Sequence, residues 1–93
     1  MFDNKFKKSR KMTIRNLTML QDVIDNEITS HIDPEENTFL HNEICDLLKE
    51  AHAVENISEL ESVITQGKTI EKKLDLWFTK IGKETLDLTW EIL

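Results

Sequence analysis

The chain has 93 residues, of which 39% are hydrophobic and 32% are charged, and its net charge at neutral pH is −6. A chain of this length forms one domain at most, because domains usually have about 100–150 residues. Two glycines and one proline leave little loop composition, so the long runs of aliphatic and charged residues predict an all-helical fold. No run approaches the ~18 apolar residues that a membrane span needs, so we predict no membrane span in this sequence.

Charge is divided unevenly along the chain. Residues 1–15 contain six basic residues and one acidic residue, whereas residues 16–93 contain six basic and seventeen acidic residues. Residues 1–11 show no hydrophobic periodicity, so we predict a flexible basic arm over 1–11 and a single helical domain over 12–93. The basic residues of this arm that could contact a polyanion are Lys5, Lys7, Lys8, Arg10 and Lys11.

The first predicted helix covers about 13–32. Apolar residues recur there at steps of three and four, which places them on one face of a helix. They are Ile14, Leu17, Leu20, Ile24 and Ile28. Thr13 is the expected N-cap.

The second predicted helix covers about 34–55. Asp33 precedes Pro34, whose missing N–H costs nothing at the first helical position, and Glu36 completes a capping-box pattern with Asp33. One face of this helix is apolar, with Leu40, Ile44, Leu47, Leu48, Ala51 and Val54.

The third predicted helix covers about 58–81. Its apolar seam repeats in steps of three and four without a change of phase, as in a coiled-coil heptad, and consists of Leu60, Val63, Gly67, Ile70, Leu74, Trp77 and Ile81. Ser58 with Glu61 forms one capping-box pattern, and Asn56 with Glu59 forms an alternative. The constant phase favours a helix that continues through Gly67 over one that breaks there.

The end of the chain fits two structures. Gly82 is placed to end the third helix. Leu86, Leu88 and Trp90 then alternate as in a strand, but a lone strand would have nothing to pair with, so we predict a short helix over about 83–92. The expected architecture is a three- or four-helix antiparallel bundle.

Motifs for chemistry are weak. Gly67-Lys68-Thr69 lacks the first glycine of a phosphate loop. His41 and Cys45 lie one helical turn apart, but two ligands do not complete a tetrahedral metal site. We therefore predict no catalytic residue, cofactor or metal. The single thiol favours a reducing compartment, so we expect a cytoplasmic protein.

Apolar surface in excess of what a small bundle can bury leads to the main functional hypothesis. Trp77 and Phe78 are adjacent and project about 100° apart, so both cannot fill one seam. With Ile81, Trp90 and Leu93, they are the predicted partner interface. We expect a non-enzymatic interaction module, such as a bacterial or phage regulator, adaptor, inhibitor or chaperone-like factor, with a protein partner or a second copy of itself.

Two alternatives depend on other residues. The basic arm would suit a regulator associated with nucleic acid. The acid pairs Asp22 with Asp25 and Glu43 with Asp46 have the helical spacing with which all-helical nucleotide pyrophosphohydrolases hold Mg²⁺. That similarity implies a Mg²⁺-dependent nucleotide phosphohydrolase.

Overall fold

The computed structural model describes residues 4–27 and 30–91. Within these ranges the chain forms three α-helices and no strand: α1 (Asn4–Asp22), α2 (Pro34–Ala53) and α3 (Ile57–Ile81). A short π-helical turn, Val23–Glu27, extends α1. Each helix packs against both of the others. The prediction of an all-helical chain is confirmed.

Helix α1 begins at Asn4 rather than at Thr13. Its first turns bury Phe6, Ser9 and Thr13, and the Thr13 hydroxyl donates a hydrogen bond to the Ser9 carbonyl at 2.8 Å. Two of these buried residues are polar, so the buried face of this segment has no hydrophobic periodicity. The flexible arm predicted over 1–11 is therefore helical over residues 4–11. Residues 1–3 lie outside the described ranges.

The end of the first helical region also differs from the prediction. A π-helical turn contains one more residue than a turn of α-helix, so the side chains that follow it are rotated about the helix axis. In this turn Val23 and Ile24 remain buried. Residues 30–32 form a bend instead of continuing the helix to residue 32, and the predicted core residue Ile28 lies outside the described residues.

Helix α2 starts where the sequence predicted, with Pro34 in its first turn. The Asp33 side chain makes no capping hydrogen bond, so the predicted capping box is not formed. The backbone carbonyl of Asp33 instead accepts the N–H of Asn37 at 2.9 Å. The helix ends at Ala53, two residues before the predicted end, because Val54 adopts an extended backbone conformation.

Helix α3 uses the alternative cap. The Asn56 side chain accepts the backbone N–H of Glu59 at 2.9 Å, and the Glu59 carboxylate accepts the backbone N–H of Glu55 at 2.9 Å. These bonds satisfy backbone donors that have no partner inside the helix. At the other end Gly82 takes a left-handed conformation, with φ of 76°, and its N–H bonds back to Thr79. The predicted end at Gly82 is confirmed.

The helix is continuous through Gly67, as the constant phase of the seam predicted. The indole of Trp90 packs directly on this glycine, and a Cβ atom added at Gly67 would lie 2.6 Å from the ring. Gly67 is therefore a close-contact position.

Residues 83–91, the C-terminal segment, contain no helix, so the short helix predicted over 83–92 is wrong for these residues. The segment runs back along α3. The backbone N–H of Leu88 donates to Glu71 Oε2 at 2.7 Å and Trp90 Nε1 donates to Glu71 Oε1 at 2.6 Å. The Leu86 N–H points to Asp75 Oδ1 at 3.4 Å.

A geometric match explains this arrangement. Two residues of extended chain advance about 6.6 Å, close to the ~6 Å that four residues of helix advance. Alternate residues of the C-terminal segment therefore meet successive turns of α3. The segment is also tied to α1, since Asn16 Nδ2 donates to the Thr89 carbonyl at 2.6 Å. The alternation of Leu86, Leu88 and Trp90 is that of an extended chain paired with a helix.

Candidate functional site

The five residues predicted to form a partner interface do not form one exposed surface. Phe78 and Trp90 belong to the core, with only 2% and 6% of their surface exposed. Trp77 and Ile81 are half-buried against that core, and Leu93 lies outside the described residues. Much of the apolar surface that the sequence assigned to a partner is therefore covered by the chain itself.

A different residue stands out on the second half of α3. Leu76 is 68% exposed. Lys72, Lys73 and Lys80 lie three or four positions from it, so they surround it on the helix surface and are themselves exposed. Lys80 also lies 4.7 Å from the centre of the Trp77 ring, at the edge of this surface. We name Leu76, Lys72, Lys73 and Lys80 the lysine–leucine face.

This face carries positive charge without local compensation. The two acidic residues in the same stretch of α3 point elsewhere: Glu71 is buried under the C-terminal segment, and half-buried Asp75 faces the Leu86 N–H. In the described part of the chain none of the three lysines forms an ion pair with a carboxylate. The face thus combines one exposed large aliphatic side chain with a local excess of positive charge.

A second face has the opposite charge. Phe39, in the first half of α2, is 61% exposed. Exposed Glu35 and Glu36 precede it by one turn, and half-buried Glu43 follows it by one turn. We name Phe39, Glu35, Glu36 and Glu43 the glutamate–phenylalanine face. Neither face was predicted from the sequence, because Leu76 and Phe39 stand outside the apolar periodicity of their helices.

The residues of the predicted basic arm lie on the first turns of α1. Lys5, Lys7, Lys8 and Lys11 are exposed and Arg10 is half-buried, with its guanidinium 5.7 Å from the centre of the Phe6 ring. A groove of about 420 Å³ brings together Lys7, Lys8, Arg10 and Lys11 with Asn4, Ile14 and His52 of α2. The helix therefore fixes bases from the predicted arm along one concave surface.

The acid pairs considered for Mg²⁺ are partly occupied by other contacts. Asp22 accepts the side-chain amide of Asn26 at 2.7 Å, and Asp25 lies 3.0 Å from His41 Nδ1. Among the described residues, no group of three or more His, Cys, Asp or Glu side chains is arranged to hold a metal ion. Gly67-Lys68-Thr69 lies inside α3, so its backbone N–H groups belong to the helix and do not form a phosphate loop.

One cluster of polar side chains brings together α1, its π-turn and α2. Cys45 Sγ lies 3.6 Å from His41 Nε2 and accepts a hydrogen bond from Gln21 Nε2 at 3.1 Å. The other ring nitrogen of His41 contacts Asp25. The spacing of His41 and Cys45 was visible in the sequence. The contacts with Gln21 and Asp25 depend on how α1 and its π-turn pack against α2.

Comparison with known proteins adds no relative, because no protein-family model, curated protein or solved structure matches the chain. Among the described residues, no helix is both long and apolar enough to cross a membrane.

Proposed function

We propose that the chain is a small, non-enzymatic protein-interaction module of the regulator or adaptor kind, whose first partner is a second copy of itself. The lysine–leucine face of one copy binds the glutamate–phenylalanine face of the other. The observation that supports this is that the chain exposes two large apolar side chains, Leu76 and Phe39. The charged residues around Leu76 are positive, and those around Phe39 are negative. The proposal assumes an antiparallel arrangement of the three helices and a reducing, cytoplasmic setting that suits the free Cys45.

The expected association is weak. Fully burying a Leu or Phe side chain contributes about 1.5–3 kcal/mol, and these two are roughly two-thirds exposed beforehand. Exposed Lys–Glu pairs add about 0–1 kcal/mol each, and association itself costs several kcal/mol. A two-fold symmetric pair repeats the contact, because each copy carries both faces. We expect a dissociation constant of about 0.1 mM.

Sedimentation equilibrium at low salt, from about 10 µM to about 1 mM protein, tests the proposal. The wild-type mass should rise from 10.9 kDa toward twice that value. Leu76→Asp and Phe39→Lys should each keep the protein monomeric at about 1 mM. Met19→Asp is the matched control, because Met19 is also an exposed apolar residue, 43% exposed, but lies on α1 outside both faces.

Two results would contradict the proposal. One is a wild-type protein that stays monomeric at about 1 mM. The other is a loss of association in Met19→Asp as large as that in Leu76→Asp, because a general effect of lost apolar surface would then account for the change.

The basic groove of α1 favours a second candidate function, the binding of a single-stranded nucleic acid. Four bases on one concave surface can contact successive phosphates and release their counterions. We expect fluorescence anisotropy with a labelled RNA to show binding at low salt, with the logarithm of affinity falling against the logarithm of salt with a slope of about −3.

Lys7→Glu with Lys8→Glu and Lys11→Glu should abolish this binding. Lys72→Glu with Lys73→Glu should leave it intact, since these lysines lie on α3. This candidate is rejected by an absence of binding at low salt, or by equal losses in the two sets of variants.

A further inference from the structure

Cys45 is in contact with a histidine that is itself oriented by a carboxylate. Cys45 is half-exposed on α2, one turn after His41. The sulfur lies 3.6 Å from His41 Nε2, and the Gln21 amide donates to the sulfur at 3.1 Å. Two nitrogen atoms from two helices therefore converge on the only thiol in the sequence.

The contact with Asp25 decides the role of each ring nitrogen. Asp25 Oδ1 lies 3.0 Å from His41 Nδ1, and an ionised carboxylate only accepts hydrogen bonds, so Nδ1 carries the hydrogen. In the neutral imidazole, Nε2 is then left as a proton acceptor that faces the thiol. Cys45, His41 and Asp25 therefore stand in the order nucleophile, base and orienting group. Proteins commonly activate a nucleophile with this arrangement.

The π-turn supplies the orienting group. Asp25 lies within Val23–Glu27, where the extra residue per turn changes the direction of the side chains relative to a regular α-helix. Short π-helical turns are often found at functional sites. Here the turn keeps Val23 and Ile24 in the core while Asp25 reaches His41 on the neighbouring helix.

We propose that Cys45 is an activated thiol that forms a mixed disulfide with a small-molecule disulfide. His41 takes the proton of the thiol. The sulfur then attacks one sulfur atom of the disulfide, so that a new S–S bond forms at Cys45 as the old one breaks. The Cys45 sulfur is oxidised, the departing sulfur is reduced, and the departing thiolate takes the proton from His41.

Other charged groups near the thiol do not supply this base. Asp46 follows Cys45 directly in α2 and Asp22 lies one turn before Asp25, but in the described part of the chain neither carboxylate forms a hydrogen bond with the thiol. Lys49 lies one turn after Cys45, but its ammonium group has hydrogen-bond donors and no acceptor, so it cannot act as the base. Within the described ranges α3 contributes no polar contact to Cys45. His41 is thus the group in position to take the proton.

The test follows the reaction of the full chain with the chromogenic disulfide 5,5′-dithiobis(2-nitrobenzoate), in the presence of a metal chelator. At about pH 6.5 an unassisted thiol is only about 1% ionised, so removing the base should lower the reaction rate at this pH. We expect His41→Gln to react about ten-fold more slowly than wild type at this pH. At about pH 9.5, where ordinary thiols are ionised, the two rates should agree within about two-fold.

Two further variants keep the proposal falsifiable if His41→Gln unfolds. Asp25→Asn should slow the reaction about three-fold at about pH 6.5, because it removes the carboxylate that holds the hydrogen on His41 Nδ1 and so leaves Nε2 facing the thiol as an acceptor. His31→Gln is the matched control, because His31 is an exposed histidine outside this cluster, and it should react as wild type does. The proposal is overturned if His41→Gln and Asp25→Asn both follow the wild-type pH profile, or if His31→Gln shifts it equally.

Discussion

Individual residues decide where the C-terminal segment lies. Gly67 lacks the side chain that would collide with Trp90, and the Glu71 carboxylate accepts both the Trp90 indole N–H and the Leu88 backbone N–H. The sequence predicted that the third helix continues through Gly67. It did not mark Glu71, because an acidic residue on a helix is exposed by default, and its burial depends on donors located 17 and 19 residues further along the chain.

Replacing Gly67 by Ala should destabilise the protein. In a solvent-facing helix this change would stabilise by about 1 kcal/mol. Here the new Cβ would lie 2.6 Å from the Trp90 ring, and overpacking of this kind costs about 1–3 kcal/mol. With the helix-propensity gain subtracted from this cost, we expect a net loss of up to about 2 kcal/mol in the free energy of unfolding, measured by circular dichroism in urea.

The same substitution in a Trp90→Leu background provides the control. With the ring removed, Gly67→Ala should become neutral or stabilising, so the double-mutant cycle should give a coupling of about 1–3 kcal/mol. If Gly67→Ala stabilises the wild-type background, Trp90 does not pack on this glycine.

At the scale of elements, local chemistry predicted the two helix boundaries at which a proline or a glycine stands. Pro34 and Gly82 mark a start and an end that the structure confirms, because each has a backbone property that suits one position of a helix. The start of α1 was missed because Ser9 and Thr13 are buried polar residues whose burial depends on neighbouring helices. The C-terminal segment was missed because its extended pattern is satisfied by side chains of α3 instead of a second strand.

The two alternative caps of α3 give a direct comparison. Asn56→Ala removes the acceptor for the Glu59 N–H and should cost about 1 kcal/mol in the free energy of unfolding. Ser58→Ala should cost less than about 0.5 kcal/mol, because Ser58 lies in the first turn of the helix and Asn56 is the N-cap. Urea unfolding of both variants measures the difference, and a larger loss for Ser58→Ala would contradict the assigned cap.

At the scale of the whole molecule, the sequence indicated that three helices would leave apolar surface uncovered, but it placed that surface at Trp77, Phe78 and Trp90. The C-terminal segment brings Trp90 onto Gly67, and Phe78 is enclosed in the core. The large apolar side chains left exposed are Leu76 and Phe39, together with Met19, in the described part of the chain. Which residues remain exposed depends on the packing of the whole chain. The charged residues around Leu76 and Phe39 could therefore be recognised as part of two surfaces only from the structure.

If the two charged faces bind each other, variants with exchanged charges should rescue each other's association. Lys72→Glu with Lys73→Glu makes the lysine–leucine face acidic, and Glu35→Lys with Glu36→Lys makes the glutamate–phenylalanine face basic. Each double variant alone should be monomeric, because its two faces then carry the same charge and repel each other.

An equimolar mixture of these two double variants restores opposite charges at both contacts of a symmetric pair. The most direct measurement is sedimentation equilibrium of each variant and of the mixture at about 1 mM total protein and low salt. We expect monomers for each variant alone and dimers in the mixture. A mixture that remains monomeric, or variants that associate alone as the wild type does, would show that the two faces do not bind each other.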